Sequence, residues 1–463
     1  MQKFGDNIPT QNPTFYRENP PPSAVSIWTG LVGLGALTAA LLFVFTYQKN
    51  APVIFHVLEI LAATTVAMMI FELGRLNQHR EKPLFRLPRI PTRASLGNVG
   101  LRLLGAFLTI VPFTIGYFVL SEFLKDRYEF LWMAFVMSSP VILLLVALYF
   151  FITEHLRDPN PDTLWHLGLV ALRKKHWRHV PDLTEHWRQW MVKTVFVPFA
   201  FATIYATVYI FETIIKNFTF DLLQVFSLLY ILGFVVDSVF GTIGYLMSFR
   251  FLDSHIRSTQ RSILGWMACL ICYPPLMSLL YLFVTFFQNG EAWEIWLRNA
   301  GVFTWLWAAT ILLLQGLYAW ATVICGFRFS NLTNRGIITN GPYRYFKHPA
   351  YLAKNISWWL IFMPFVLTIS IPVALGTAAQ LLFVNFIYYL RAKTEERHLW
   401  EDEHYRAYVR WIDSYGVFAR FRQLLLRTTI GKSFFSFLDY LSTAMTRLYE
   451  RSMLAKRFVR YIW

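Results

Sequence analysis

Two polar clusters in the last third of the chain have residue types and spacing suited to chemistry. The first runs Asn331-Leu-Thr-Asn-Arg-Gly336-Ile-Ile-Thr339-Asn-Gly341-Pro342-Tyr343-Arg344-Tyr345-Phe-Lys347-His348-Pro349-Ala-Tyr351. Gly336, Gly341, Pro342 and Pro349 prevent a continuous helix and bring the backbone close to whatever it wraps. The second cluster is Arg391-Ala-Lys393-Thr-Glu395-Glu396-Arg397-His398-Leu399-Trp400, followed by Tyr405 and Tyr408. On a helix Arg391, Glu395 and Leu399 share a face, with Glu396 beside it. Each cluster alone has a plainer reading. Arg, Lys and aromatic residues often mark a helix entrance at a membrane, and alternating charges often mark a solvated ion-pair helix.

Taken together, the clusters carry more information. GPYRYFKHPAYL, a hydrophobic hairpin and then RAKTEERHLWEDEHYRAYV resemble the isoprenylcysteine carboxyl methyltransferase and phospholipid methyltransferase superfamily. Its members typically show G-x-Y-x-x-x-R-H-P-x-Y-x-G, then R-x-x-x-E-E-x-x-L and Y-x-x-Y. Gly341, Tyr343, His348, Pro349, Tyr351, Arg391, Glu395, Glu396, Leu399, Tyr405 and Tyr408 stand at the matching positions. The likeness covers residues from about 300 to 422. Lys347 replaces the usual Arg, keeping the charge and losing the planar fork. Ala353 replaces a Gly, and Glu403 and His404 stand where Phe-Gly is common.

The resemblance implies S-adenosylmethionine as methyl donor, held between the His-Pro loop and the Arg/Glu-Glu helix, with no metal. It implies Arg391, Glu396 and His348 as catalytic residues. Gly341, Tyr343, His348, Pro349, Tyr351, Glu395 and Glu396 would then bind the cofactor. The residue types suit this chemistry, because methyl transfer from a sulfonium depends mainly on placing donor and acceptor in line. Carboxylates can take the ribose hydroxyls or the donor's ammonium group. Arg391 can hold the donor's carboxylate or an acidic acceptor. Aromatic walls favour a cationic sulfonium, and Tyr343, Tyr345, Trp358 and Trp359 are candidates.

Ionisable residues inside apolar segments are costly unless paired or wet. Asp237 lies mid-segment and is a candidate for the acceptor's head group, with Lys347 and Trp358 as further substrate contacts. Glu59 and Gln315 read as interhelical hydrogen-bonding residues. His155, His166, His176, His179 and His186 lack ligand-like spacing apart from His176 with His179, and Cys269 and Cys272 read as small apolar fillers.

These residues must be positioned by membrane helices. The chain is 56% hydrophobic but only 15% charged, and 18% aromatic, so most of it cannot form a wet surface. With about 20 apolar residues per span, about ten candidates emerge: 25–47, 51–73, 100–123, 130–153, 193–215, 220–248, 263–287, 301–326, 351–369 and 372–390. Ser370, Ile371 and Pro372 make the last two a tight helical hairpin. The fold class is an all-α polytopic bundle with a C-terminal catalytic hairpin. Lys and Arg crowd every second loop, which places 327–350, everything after 391 and both termini on the cytoplasmic side. The same placement explains the net charge of +16 without nucleic acid. The N-terminal residues do not read as a cleavable signal peptide.

Three regions follow: a multi-span module over 1–300, a catalytic module over 301–422, and a basic amphipathic extension over 423–463. The expected protein is a multi-pass enzyme of a bacterial inner membrane. Its partner is a membrane lipid or lipidated acceptor: a lipid amine, a lipidated carboxylate or an isoprenoid. The alternative is an NADPH-dependent reductase like the steroid 5α-reductase and sterol reductase families. Those typically read His-Pro-Asn-Tyr and then Gly-Glu or Gly-Asp, where this chain has Ala350, Ala353 and Lys354. A non-catalytic scaffold with this fold is the third reading.

Overall fold

The computed structural model describes residues 19–78, 93–123, 144, 146–154, 161–273, 276, 293, 297, 300–369 and 371–428. Within them the chain is almost entirely helical: α1 (Ile27–Tyr47), α2 (Val53–Gln78), α3 (Arg93–Phe123), α4 (Thr163–Ala171), α5 (Leu183–Lys216), α6 (Leu222–Leu246), α7 (Ile263–Leu270), α8 (Val302–Cys325), α9 (Pro349–Ile369), α10 (Ile371–Leu399), α11 (Glu403–Tyr415) and α12 (Val417–Leu425). Among the described residues six helices, α1, α2, α3, α5, α6 and α8, are long and apolar enough to cross a membrane. Leu42, Phe107 and Leu313 lie more than half exposed on them, a surface suited to lipid.

The remaining expected spans fare differently. Most of 130–153 and of 263–287 lies outside the described residues. The stretches 351–369 and 372–390 form α9 and α10, which pack together as the expected hairpin. Asn355 and Asn385 bond side chain to side chain across it, and Trp359 Nε1 donates to Asn385 Oδ1 at 2.8 Å. Such polar contacts hold helices together where lipid offers no hydrophobic drive. Beyond Leu425, most of the expected amphipathic extension lies outside the described residues. The span expected at 193–215 begins earlier, at Leu183. Its polar first turns are matched by partners: Glu185 accepts from Thr259 Oγ1 at 2.9 Å, and His186 pairs with Thr109 at 2.9 Å.

Side-chain caps begin several helices: Ser26 accepts from Trp28 N, Asp221 from Leu223 N, Ser262 from Gly265 N and Asp402 from His404 N. The main core is built by α1, α2, α5, α6 and α8 around Leu37, Ile60, Met68, Ile204, Phe240, Ile243 and Val323. At Gly30 a Cβ would come within 2.6 Å of the Val323 carbonyl oxygen, so α1 can approach α8 only with glycine there.

The loop after α8 is tied down on several sides. Ser258 and Thr259 (β1) pair antiparallel with Thr333 and Asn334 (β2), in the register Ser258↔Asn334 and Thr259↔Thr333. Ala24 N donates to Ile337 O, Thr339 Oγ1 to Pro21 O and Asn340 Nδ2 to Val25 O. Arg335, 2% exposed, is the hub. Its guanidinium donates to the carbonyls of Gly244, Met247, Ser254 and Phe329 at 2.5–3.1 Å. It thereby closes the C-terminal end of α6, where carbonyls have no helical partner.

Candidate active site

The loop enters the site through Gly341, whose φ is +55° and whose Cβ would come within 2.7 Å of Ile324. An L side chain there meets both strain and a clash. A 3₁₀ turn over Gly341–Arg344 follows, and α9 starts at Pro349, a position where the missing N–H costs nothing. Tyr343 is set by Tyr408, whose hydroxyl donates to the Tyr343 carbonyl at 2.6 Å, and its own hydroxyl lies 3.4 Å from Cys325 Sγ.

Helix α10 runs without a break from the hairpin into the second cluster, bringing Arg391, Glu395 and Glu396 against the start of α9. Tyr351 OH donates to Glu395 Oε2 at 2.8 Å. His348 Nε2 lies 3.1 Å from Glu396 Oε1, and Lys393 Nζ donates to Glu396 Oε2 at 2.7 Å. The His348 and Tyr351 rings stack, with centroids 5.3 Å apart and planes 2° from parallel. Burial works against ionisation of Glu396, but the hydrogen bonds from His348 and Lys393 outweigh it and hold its carboxyl down to about 2. Glu396 is therefore a carboxylate at neutral pH. Its hydrogen bond to Glu396 likewise raises Lys393 above the ordinary lysine range. Glu396 and His348 each remain about one-fifth exposed, so a polar ligand can reach them.

Arg391 is 6% exposed. Its Nη2 donates to Asn331 Oδ1 at 2.6 Å and to Tyr273 OH at 3.1 Å. Its guanidinium carbon sits 5.0 Å from the Tyr351 ring, 5.3 Å from Tyr273 and 5.8 Å from Tyr388. Asn331 is fixed in turn by donating to Tyr245 OH at 2.5 Å and Tyr273 OH at 2.9 Å. Among the described residues Arg391 forms no ion pair. A buried guanidinium held in place by neutral acceptors and rings is a site for an anion supplied from outside.

The structure thus brings together His348, Tyr351, Arg391, Glu395 and Glu396, with Pro349 starting the helix that carries Tyr351. Gly341 and Tyr343 shape the approach. Lys347 is engaged elsewhere, its Nζ 2.6 Å from Asp413 Oδ1 on α11. Asp237 accepts from Tyr318 OH at 2.7 Å and Thr322 Oγ1 at 2.5 Å. Trp358 packs edge-on against Tyr388 at 5.5 Å, one ring away from Arg391. Two of the candidate aromatic walls are placed otherwise: Tyr345 is half exposed and Trp359 is bonded to Asn385. The rings around Arg391 are Tyr273, Tyr351 and Tyr388 instead.

Sequence reasoning missed Tyr245, Tyr273 and Tyr388. Tyr388 had a signal, since it precedes Arg391 by three residues and shares its face. Tyr245 and Tyr273 sit in apolar stretches and offered none. Both come from before residue 300, so the long N-terminal part supplies walls of the site.

The match to a known family falls on these same elements, α8, the loop and the hairpin. Residues 301–401 match the isoprenylcysteine carboxyl methyltransferase (ICMT) family. The matched segment carries His348, Tyr351, Arg391, Glu395 and Glu396 and ends just before α11. No curated protein and no solved structure matches the chain. The likeness to the ICMT family and the helices long and apolar enough to cross a membrane together mark a multi-pass membrane protein with an ICMT-like segment.

Proposed function

We propose that the protein is an S-adenosylmethionine-dependent methyltransferase that acts on a lipid or lipid-linked acceptor at the cytoplasmic face of a bacterial inner membrane. The observation that carries this reading is Arg391, a buried cation that forms no ion pair among the described residues and shares its helix with two carboxylates inside the ICMT-like segment. These residues fit the donor's charged ends. Arg391 binds a carboxylate, and Glu395 and Glu396 accept from an ammonium group or from ribose hydroxyls. S-adenosylmethionine, when bound, supplies a methyl group on a positively charged sulfur. His348 and Lys393 keep Glu396 ionised and oriented, while Tyr351 fixes Glu395. The stacked His348 and Tyr351 rings and the faces of Tyr273 and Tyr388 exclude water and favour positive charge. Holding the reacting groups in line is the main contribution the chain has to make.

In this reading, 301–422 is the catalytic module and 1–300 a multi-span module that lends it walls and an acceptor chamber. Residues 423–463 are a basic amphipathic extension at the headgroup region. Both termini face the cytoplasm.

Calorimetry on the detergent-solubilised full-length protein tests the reading. Saturable S-adenosylmethionine binding is expected, weakened at least tenfold by Glu396→Ala, with no heat from NADPH. Binding of NADPH alone would place the protein with the reductases, and binding of neither would leave a scaffold.

A further inference from the structure

Helix α12 leaves an apolar face open. None of its nine residues is buried, and Phe418, Phe421 and Leu424 are each more than half exposed. With about 3.6 residues per turn, Val417, Phe418, Phe421, Leu424 and Leu425 fall on one side of the helix. Arg420 and Arg427 lie along one edge of that face and Arg422 along the other. Residues 414–428 hold three arginines and no carboxylate. The carboxylate just before them, Asp413, is taken by Lys347 at 2.6 Å.

Two contacts fix the height of α12. Val417 N donates to the Tyr345 carbonyl at 3.1 Å, and the Phe418 ring lies 5.8 Å from that of Phe346. The Tyr343 hydroxyl, in the same turn, lies 3.4 Å from Sγ of Cys325, the last residue of α8. Helix α8 is long and apolar enough to cross a membrane, so this turn and α12 stand where its apolar run ends, at the lipid–water boundary. A nine-residue helix is about 14 Å long, half of what a span needs, so it can lie along this boundary but cannot cross it.

An apolar face edged by arginines at that depth fits the plane of a bilayer. The rings reach below the headgroups, while the arginine stems run up the sides and place their guanidinium groups among the phosphates. A second copy of the chain docked on the same face would set its arginines against these. The half-exposed Tyr345 beside Val417 adds a ring of the kind that collects at membrane interfaces.

We propose that α12 is an in-plane membrane anchor, whose Phe418, Phe421 and Leu424 enter the acyl-chain region and whose arginines bind anionic phospholipid. Through Val417 and Tyr345, this contact sets the depth of the turn that leads into His348. Bilayer contact of this kind is independent of methyl transfer, so it stands whether or not the chain binds S-adenosylmethionine.

The test uses the full-length protein with a nitroxide at Phe421→Cys or at Gln423→Cys, positions on opposite sides of α12. It is placed in vesicles of phosphatidylcholine alone or mixed in equal parts with phosphatidylglycerol. Protein with neither substitution, treated alike, corrects for label on the native cysteines. Oxygen collides with a nitroxide in lipid, and a nickel chelate with one in water. In mixed vesicles the oxygen-to-nickel ratio at position 421 should exceed that at 423 at least threefold. Phosphatidylcholine alone should lower this excess, as should Arg420→Gln with Arg427→Gln in mixed vesicles. Arg420→Lys with Arg427→Lys should keep it, which separates loss of charge from loss of fold. Equal access of the nickel chelate to both positions would place α12 in water and overturn the anchor. Exclusion of both reagents from position 421 would mean that protein covers the face, which also overturns it. An excess that is the same in phosphatidylcholine alone, or that survives the double glutamine substitution, would overturn the choice of anionic lipid.

Discussion

Arg391→Leu is expected to lower S-adenosylmethionine affinity about 100-fold and to abolish measurable methyl transfer. The guanidinium is the buried cation of the site and is held by Asn331 and Tyr273 within three tyrosine rings. A charge-assisted hydrogen bond contributes roughly 1.5–3 kcal/mol, and each 1.4 kcal/mol is about a factor of ten in affinity. Losing the grip on a carboxylate and the frame that aims it therefore reaches about two orders of magnitude. Arg391→Lys should recover only part of this, because a point charge cannot satisfy Asn331 and a ligand carboxylate with the same planar fork. Calorimetry reads both variants. An Arg391→Leu protein that binds S-adenosylmethionine as tightly as the wild type would remove Arg391 from the site.

The largest effect on stability is expected at Arg335. Its side chain satisfies four carbonyls from three parts of the chain: the end of α6, the loop at Ser254 and the turn at Phe329. Arg335→Leu takes the donor from the carbonyls of Gly244, Ser254 and Phe329, at about 1–3 kcal/mol each, while the Met247 carbonyl keeps the Ser254 hydroxyl. Even the lower end is a loss of about 3 kcal/mol, against a typical total stability of roughly 5–15 kcal/mol. The variant is expected to melt well below the wild type in detergent, followed by tryptophan fluorescence, or to fail to accumulate. Arg335→Lys should fall between the two. A melting temperature unchanged in Arg335→Leu would mean that this hub does not hold the loop.

The contrast between these two arginines shows what the sequence made legible. Arg391 could be found because its partners in the pattern, Glu395 and Glu396, follow within two turns of one helix, and helix geometry alone puts them together. The α9–α10 hairpin was legible for a similar reason, since Ser370, Ile371 and Pro372 interrupt an apolar stretch at its midpoint. Arg335 read as one more loop cation. Its partners Gly244, Met247 and Ser254 are 81–91 residues away and are backbone atoms, which leave no side-chain signature. Tyr273 was opaque on the same ground, being 118 residues from Arg391 and set in an apolar run. Lys347 illustrates the converse: the motif put it next to His348, but Asp413 on α11 takes its charge, and only the packing of α11 reveals that. Asp237 was visible singly. That Tyr318 and Thr322 of α8 would engage its carboxylate depended on how α6 and α8 cross, which periodicity does not specify.

Transfer of a tritiated methyl group from S-adenosylmethionine into organic-extractable lipid tests the central claim most directly. The full-length protein in detergent would be mixed with a bacterial lipid extract. Label is expected to enter the lipid phase with time in the wild type and to stay out of it with Arg391→Leu. A lipid phase free of label under conditions where the wild type binds S-adenosylmethionine, or label that enters equally with Arg391→Leu, would contradict it.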